Sequence, residues 1–303
     1  MRQPRALTFG PALLLLTSQA LAQAAPRWLQ IAPHREGFTV QMPAAPTRHE
    51  PVSDGGSVFL KPGGTEIRRH FVYDAYYDGA VYLVHVYEAS SSDQLRKELT
   101  DERRFKGVLV RESKAEGMSE REYETRYTGF YSKTRFITLG KLLYEVEGAA
   151  RAESNPTLVR FLSSFKLGKA NPSKGAEITP VADGELKARA DAPASTAGAG
   201  GAPEGAGVIL AAKDVTLKAV LVFRPEPPYT EEARKNQVRG TVRVRFVVSA
   251  SGGVTNVTVV RGLKYGLNEM AVAAARAIRF LPAEKDGRRV SQWVTVDYNF
   301  NIY

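Results

Sequence analysis

A run of small residues beyond the middle of the chain divides it into two separate cores. Residues 190–207, ADAPASTAGAGGAPEGAG, contain no large apolar side chain. Such a segment has nothing to bury and behaves as a flexible tether. We therefore expect an N-terminal domain at 25–167, a flexible linker at 168–207 and a C-terminal domain at 208–303, with the two domains moving independently.

The chain begins with the pattern of a secretory signal peptide at 1–24. Arg2 and Arg5 precede an apolar run, ALLLL, and Ala22 and Ala24 are the small residues that a signal peptidase requires. We expect cleavage after Ala24 and export to the periplasm. The alternative is an uncleaved membrane anchor, but a membrane span needs about 20 apolar residues, and polar residues interrupt this run.

The charge of the chain is basic, with a net value of +10. Its lysines and arginines are scattered, and they lack the clustered stripe and stacking aromatic residues of nucleic-acid modules. For an exported protein the anionic partners are envelope lipid and cell-wall material. We therefore exclude nucleic acid as a partner. The chain contains 0 cysteines, so each core must be stable without disulfides.

The N-terminal domain is predicted to be an antiparallel α/β module. Residues 66–89 indicate a hairpin that turns at Asp78-Gly79. Helices are predicted at 92–105 and near 156–164, with further strands across 121–150. The stretches GFTVQMPAAP and RFLSSFKLG near the two ends of this domain are similar to PsbP-like modules of exported proteins, which suggests a fold but no ligand.

The hairpin turn fixes which residues share a face. Pairing of Tyr77 with Ala80 places alternate residues on one core face. Those residues are Phe71, Tyr73, Ala75, Tyr77, Ala80, Tyr82, Val84 and Val86. We expect the opposite face to be solvated.

That opposite face carries a candidate metal site. His70 and His85 would be diagonal neighbours, with Asp74 near His85. Imidazole and carboxylate groups are metal ligands, but histidines on the wet side of a sheet are usually unliganded. The chain also lacks a serine elbow, a cysteine nucleophile, HExxH, a Walker loop and a dinucleotide fingerprint. We therefore predict no metal, no cofactor and no enzymatic activity.

The C-terminal domain is predicted to be a three-stranded antiparallel sheet packed by two helices, which makes the whole chain α+β. A strand is expected at 215–223, followed by a short helix capped by Thr230. The next strand, 240–248, buries alternate valines and turns Arg243 and Arg245 outward. A return strand, a helix capped by Asn268 and a final strand complete the sheet.

The final strand lacks the usual protection of an edge. From residue 290 to 303 apolar and polar residues alternate, with one charge, Asp297, and no proline. Exposed edges normally carry charges or prolines because an unpaired edge promotes aggregation. This pattern therefore raises the question of what pairs with the edge.

The C-terminal sequence resembles the C-terminal domain of TonB, the periplasmic energy transducer of bacterial outer-membrane transport. The resemblance covers about residues 215–303 and includes PEPPYTEEARKNQVRGTVRVRFVVSASGGVTNVTVV and LNEMAVAAARAIRFLPAEKDGRRV. Its most specific pieces are Pro228-Tyr229, Gly240, Gly253-Val254, Arg279-Phe280, Pro282-Ala283 and Gly287.

The resemblance implies a peptide-binding edge. In that family the final strand pairs with an extended peptide, the TonB box of an outer-membrane transporter, by β-augmentation. The residues this implies here are Val290, Gln292, Trp293, Val294, Thr295, Val296, Asp297, Tyr298, Asn299 and Phe300. Two alternatives stay open: Val215–Phe223 covers this strand, or the same strand of a second copy pairs with it in a homodimer.

The departures from TonB limit what carries over. TonB has an uncleaved transmembrane helix that couples to the ExbB–ExbD motor, whereas this chain has a cleavable signal and an added N-terminal domain. We therefore expect no coupling to ExbB–ExbD. The leading hypothesis is a periplasmic adaptor that binds an outer-membrane transporter or another envelope protein. The alternative is a basic envelope or cell-wall binding protein without a transport role.

Overall fold

A computed structural model describes most of the chain outside its first residues and the Ala/Gly run. The described residues are 25–52, 58–59, 64–101, 105–115, 117–171, 175–181 and 209–301. The predicted signal peptide and the tether at 190–207 lie outside them. In these ranges no helix combines the length and apolar character needed to cross a bilayer.

The N-terminal module, residues 25–181, contains two antiparallel sheets and two helices. The strands are β1 (Leu29–Pro33), β2 (Phe38–Met42), β3 (Thr47–Val52), β4 (Val58–Phe59), β5 (Glu66–Tyr77), β6 (Ala80–Ala89), β7 (Val108–Ala115), β8 (Met118–Tyr127), β9 (Phe130–Leu139), β10 (Leu142–Ala150), β11 (Lys166–Leu167) and β12 (Ala176–Pro180). The helices are α1 (Ser92–Leu99) and α2 (Pro156–Ser164). The large sheet has the order β3-β5-β6-β10-β9-β8-β7, with β4 also on β5, and the small sheet has the order β11-β2-β1-β12.

The predicted register of the β5–β6 hairpin is confirmed. Tyr77 lies opposite Ala80, and the turn residues Asp78 and Gly79 have φ values of 48° and 73°. Positive φ at both central residues is what a type I′ turn requires. The predicted core face is also confirmed, because its residues pack in one cluster with β1, β2 and α2.

The opposite face of the hairpin is buried, so the expectation of a solvated face is wrong. Val72, Val81 and Leu83 are 0%, 0% and 1% exposed. They pack with Phe223 and Leu281, which belong to the C-terminal part of the chain. The reason for the error is a second layer contributed by residues more than a hundred positions away, which local alternation does not reveal.

Two N-terminal boundaries differ from those predicted. Strand β12 pairs with β1 along its whole length, so the small sheet extends past the predicted linker start to Pro180. The side chains of β12 are all exposed, so this strand is held to the sheet by its backbone hydrogen bonds with β1. The amino-acid composition gives no signal for such pairing. Helix α1 ends at Leu99 rather than at residue 105: the backbone leaves helical geometry at the C-cap Thr100, with φ −95° and ψ 19°, and the hydroxyl of Thr100 donates to the carbonyl of Arg96 at 2.9 Å.

The C-terminal module, residues 209–301, contains one three-stranded sheet, two short ribbons and two helices. Its elements are β13 (Val220–Phe223), α3 (Glu231–Lys235), β14 (Gly240–Val248), β15 (Val254–Arg261), α4 (Leu267–Arg276), β16 (Arg279–Leu281), β17 (Ala283–Lys285), β18 (Arg288–Val290) and β19 (Gln292–Phe300). The sheet has the order β15-β14-β19, and the ribbons are β13–β16 and β17–β18. The predicted three-stranded sheet with two helices is present.

Local signals in this module were partly misinterpreted. Thr230 caps α3 by accepting from the N–H of Ala233 at 3.2 Å, as predicted. Helix α4 instead begins after Gly266, whose φ of 79° is favourable for glycine. The side chain of Asn268 accepts from the N–H of Leu263 at 2.8 Å and so fixes the preceding loop rather than the helix end.

The structure places the two modules against each other, in contrast to the expected independent bodies. Arg279 of β16 forms an ion pair with the buried Asp74 of β5. Arg289 of β18 pairs with Asp78 at the hairpin turn. Arg151 donates to the carbonyl of Lys218 at 2.8 Å and also to that of Pro282. Polar contacts thus accompany the apolar contact that buries the second face of the large sheet.

Candidate functional site

Strand β19 lies at one edge of the C-terminal sheet. It pairs with β14 from Gln292, opposite Val248, to Phe300, opposite Gly240. Its predicted alternation is observed. Inward residues are Gln292, Val294, Val296, Tyr298 and Phe300, and the residues on the solvent side are Trp293, Thr295, Asp297 and Asn299.

The backbone hydrogen bonds at the start of β19 show which of its groups point away from β14. The N–H of Trp293 donates to the carbonyl of Leu210 at 3.1 Å, and the N–H of Leu210 donates to the carbonyl of Ser291 at 2.9 Å. In an antiparallel ladder the outward direction recurs at every second residue. The N–H and C=O groups of Thr295, Asp297 and Asn299 therefore also point outward.

These outward groups form a free backbone edge. Within the described part of the chain, no backbone hydrogen bond reaches the outward groups of Thr295, Asp297 or Asn299. Unpaired backbone groups in a row are a template for another strand. We call this row, from Thr295 to Asn299, the free edge.

The start of the predicted site is closed. Val290 belongs to β18 and pairs with Ala283. Gln292 is 4% exposed, and its side chain accepts from the N–H of Ala219 at 3.0 Å. Leu210 forms a parallel bridge beside it. Among the ten predicted residues, the unpaired outward backbone groups therefore begin after Trp293.

One of the alternatives for this edge does not occur. Strand β13, which was the candidate cover, pairs with β16 instead of β19. The segment that does touch the edge is Leu210, which had no strand signal in the sequence.

A groove of about 900 Å³ runs beside the free edge. Its walls include Arg224, Arg243 and Arg245, together with Trp293 and Asp297. Sequence reasoning placed the two β14 arginines on the wet face but gave them no role. The sequence signal that could have predicted this groove wall is the alternation of arginine with buried valine along β14.

Each charged group of the groove has a defined neighbour. Arg243 binds both carboxylate oxygens of Asp297, at 2.7 and 2.8 Å, and this hydrogen bonding lowers the pKa of Asp297. The guanidinium of Arg245 lies 4.2 Å from the ring centre of Trp293. That of Arg224 lies 5.6 Å from the ring centre of Tyr298.

Comparison with known proteins gives a family match for the module that carries this edge. Residues 225–302 match the family model of the Gram-negative bacterial TonB protein C-terminal. The resemblance inferred from the motifs is therefore confirmed for this TonB-like module. The solution NMR structure of the Pseudomonas aeruginosa TonB CTD is similar at 21% identity with a TM-score of 0.26, covering 31% of this chain and 94% of that chain. None of the curated proteins matches the chain.

The candidate metal ligands lie at the contact between the TonB-like module and the large sheet. The Nε2 of His70 lies 3.1 Å from the Nδ1 of His85. Asp74 is engaged elsewhere, by the Nε2 of His49 at 2.6 Å and by Arg279. Among the residues that the structure describes, no three ligating side chains form a metal-binding group.

The two histidines are packed as neutral rings. Burial lowers the pKa of His70 well below its usual value and that of His85 to about 4. The ring of Tyr87 stacks on His70 with the centres 4.1 Å apart, and Phe223 of the TonB-like module meets His85 edge-on at 5.1 Å. The two histidine rings therefore make aromatic contacts at the boundary between the modules.

Proposed function

We propose that this protein is a non-enzymatic adaptor of the cell envelope that binds an extended peptide by strand addition at the free edge. The single observation that carries this proposal is the row of outward, unpaired backbone groups at Thr295, Asp297 and Asn299. The TonB C-terminal match supports a TonB-like role in envelope transport. TonB C-terminal domains interact with outer-membrane TonB-dependent transporters, which makes this class of protein the first partner to test.

Strand addition uses the geometry of the edge directly. Successive outward residues are about 6.8 Å apart along a strand, so the free edge accommodates a guest of about five residues. The guest's main chain supplies most of the affinity, and its alternate side chains supply the selectivity. The inward face of β19 is already packed in the core, so the guest would pair with a strand that the module holds in place.

We further propose that the protein acts in the periplasm, with the N-terminal module holding a second partner. Cleavage after Ala24 would release the protein from the inner membrane and leave it without direct coupling to ExbB–ExbD. The mass of the protein purified from its host tests this point. A product that begins at Ala25 supports it, and an intact N-terminus in the membrane fraction contradicts it.

Replacement of Thr295 by proline tests strand addition. Proline removes only an outward N–H at this position, and edge strands tolerate proline where the N–H faces solvent. Loss of one hydrogen bond, at about 1 kcal/mol, together with the clash of the ring, should weaken binding of a TonB-box peptide about fivefold or more. Isothermal titration calorimetry measures the change.

The matched control is Thr295→Ala, which keeps the N–H. We expect its affinity to stay within about twofold of the unmodified protein, since no side-chain contact of Thr295 is required. A folded Thr295→Pro protein that binds the peptide as tightly as Thr295→Ala would rule out pairing at this edge.

A second candidate function is binding of this basic protein to an anionic envelope surface, without strand addition. The net charge of +10 and the arginines of the groove favour it. Binding of this kind falls steeply with salt and is insensitive to a backbone N–H. Loss of binding in high salt, with Thr295→Pro equal to Thr295→Ala, would favour this second function.

A further inference from the structure

We infer that the free edge selects extended peptides that carry carboxylate side chains. The inference rests on the proposed strand addition and concerns which guests are preferred. Its basis is the composition of the groove wall, where three arginines meet one acid, Asp297. All the residues that line the groove come from the C-terminal module.

The first arginine of the groove is already neutralised. Arg243 and Asp297 lie opposite each other on β14 and β19, and they form a bidentate ion pair. This geometry saturates the carboxylate of Asp297 with one guanidinium. Asp297 is therefore not available to balance the other arginines.

Arg245 presents the next positive charge. It lies opposite Thr295 and on the same face of β14 as Arg243. Its observed contact is the ring of Trp293 at 4.2 Å, and no ion pair to an acid is present within the described residues. The ring supports the guanidinium but does not neutralise it.

The position of Arg245 allows it to reach a guest. A strand added to β19 would lie about 10 Å from β14, which is two strand spacings. The residue between them is Thr295, whose short, exposed side chain leaves the path open. A glutamate on the guest and Arg245 can therefore meet by leaning toward each other across Thr295.

Arg224 adds a further positive charge to the lining of the groove. It follows β13, and its guanidinium lies near the ring of Tyr298. Its partner Glu226 is 3.4 Å away and 70% exposed, so this pair is a weak surface contact. A carboxylate on the guest can compete for Arg224.

Arginine forms bidentate hydrogen bonds with a carboxylate and has no acceptor to offer a cation. Charge complementarity of this kind mainly supplies selectivity and association rate, while the backbone supplies strand pairing. Acidic guests should therefore bind more tightly than neutral guests of the same length, and the advantage should shrink as salt screens the charges.

Two matched peptides test this selectivity with the full chain. Both are extended twelve-residue sequences with the same apolar residues, and they differ only in carrying glutamate or glutamine at alternate positions. We expect the glutamate peptide to bind about tenfold more tightly in roughly 50 mM salt and about twofold more tightly in roughly 500 mM salt. Fluorescence anisotropy measures both dissociation constants.

Arg245→Gln and Arg276→Gln separate the groove from the overall charge. Each removes one positive charge, but Arg276 is exposed on α4 and does not line the groove. We expect Arg245→Gln to reduce the preference for the glutamate peptide about threefold or more and to leave the affinity for the glutamine peptide unchanged. Arg276→Gln should leave both unchanged.

The outcomes distinguish this inference from the proposed function. Equal binding of the two peptides would overturn the selectivity and leave strand addition intact. Binding of neither peptide would overturn both the selectivity and the proposed strand addition. Equal effects of Arg245→Gln and Arg276→Gln would assign the preference to net charge and overturn the role of the groove. Phosphatidylglycerol vesicles serve as a further probe. If Arg245→Gln loses binding to these vesicles but keeps the preference for the glutamate peptide, the groove would be assigned to lipid instead.

Discussion

Glu145 and Glu147 of β10 lie opposite His85 and Leu83 of β6, on the face of the large sheet that the C-terminal module covers. Desolvation raises the pKa of Glu145 to about 7 and that of Glu147 to about 8. Tyr87 donates to Glu145 at 3.1 Å, and within the described residues neither glutamate has an ion pair with a cation. The folded protein therefore retains protons on both acids at pH values where a free glutamate is ionised.

This arrangement predicts that stability falls as pH rises from 6.5 to 8. In the unfolded chain both acids are ionised at these pH values, whereas the folded chain still binds protons, so each step in pH costs stability. The expected loss is about 2 kcal/mol for the pair. The lowered pKa values of His70 and His85 act in the opposite direction. The unfolded histidines are still half protonated near pH 6.5, so their loss of protons up to pH 8 adds about 0.4 kcal/mol each and leaves a net loss of roughly 1.5 kcal/mol. Urea unfolding at the two pH values measures the loss.

Glu147→Gln should remove the larger part of this dependence, since Glu147 has the higher pKa. Glu269→Gln, at an exposed position on α4, is the control and should keep the full slope. Equal stability of the unmodified protein at pH 6.5 and 8 would show that the two acids are ionised in the fold.

At the scale of elements, the sequence predicted the structure correctly where the deciding signal is local. The Asp78-Gly79 turn determined the register of its hairpin, and Thr230 marked the start of α3. Local signals failed where distant residues decide the outcome. Strand β12 buries no side chain, and Leu210 closes the start of β19 through two backbone hydrogen bonds. The edge itself was predictable from the alternation in β19, but its length was not.

At the scale of the whole molecule, the apolar second face of the hairpin was the signal for module contact. Val72, Val81 and Leu83 would be costly to expose to water, and the C-terminal module covers them. The ion pair of Arg279 with Asp74 lies within this contact, and Asp74 is 1% exposed. None of the residues lining the groove belongs to the N-terminal module, so docking of the modules leaves the groove open.

Removal of the buried pair should destabilise the protein more than removal of an exposed one at the same contact. Arg279→Met leaves the buried carboxylate of Asp74 with His49 alone, at an expected cost of about 3 kcal/mol. Arg289→Met breaks the exposed pair with Asp78, at an expected cost of about 0.5 kcal/mol. Urea unfolding of both variants gives the difference. Equal costs would show that the Asp74 pair does not stabilise the docked arrangement.

Amide hydrogen exchange along β19, with and without a bound TonB-box peptide, tests the central claim most directly. In the free protein we expect fast exchange at Thr295, Asp297 and Asn299 and slow exchange at Val294 and Val296, whose N–H groups point toward β14. Addition of the peptide should protect the three outward amides and leave the inward ones unchanged. Slow exchange at all five amides before the peptide is added, or no new protection after it binds, would contradict the account.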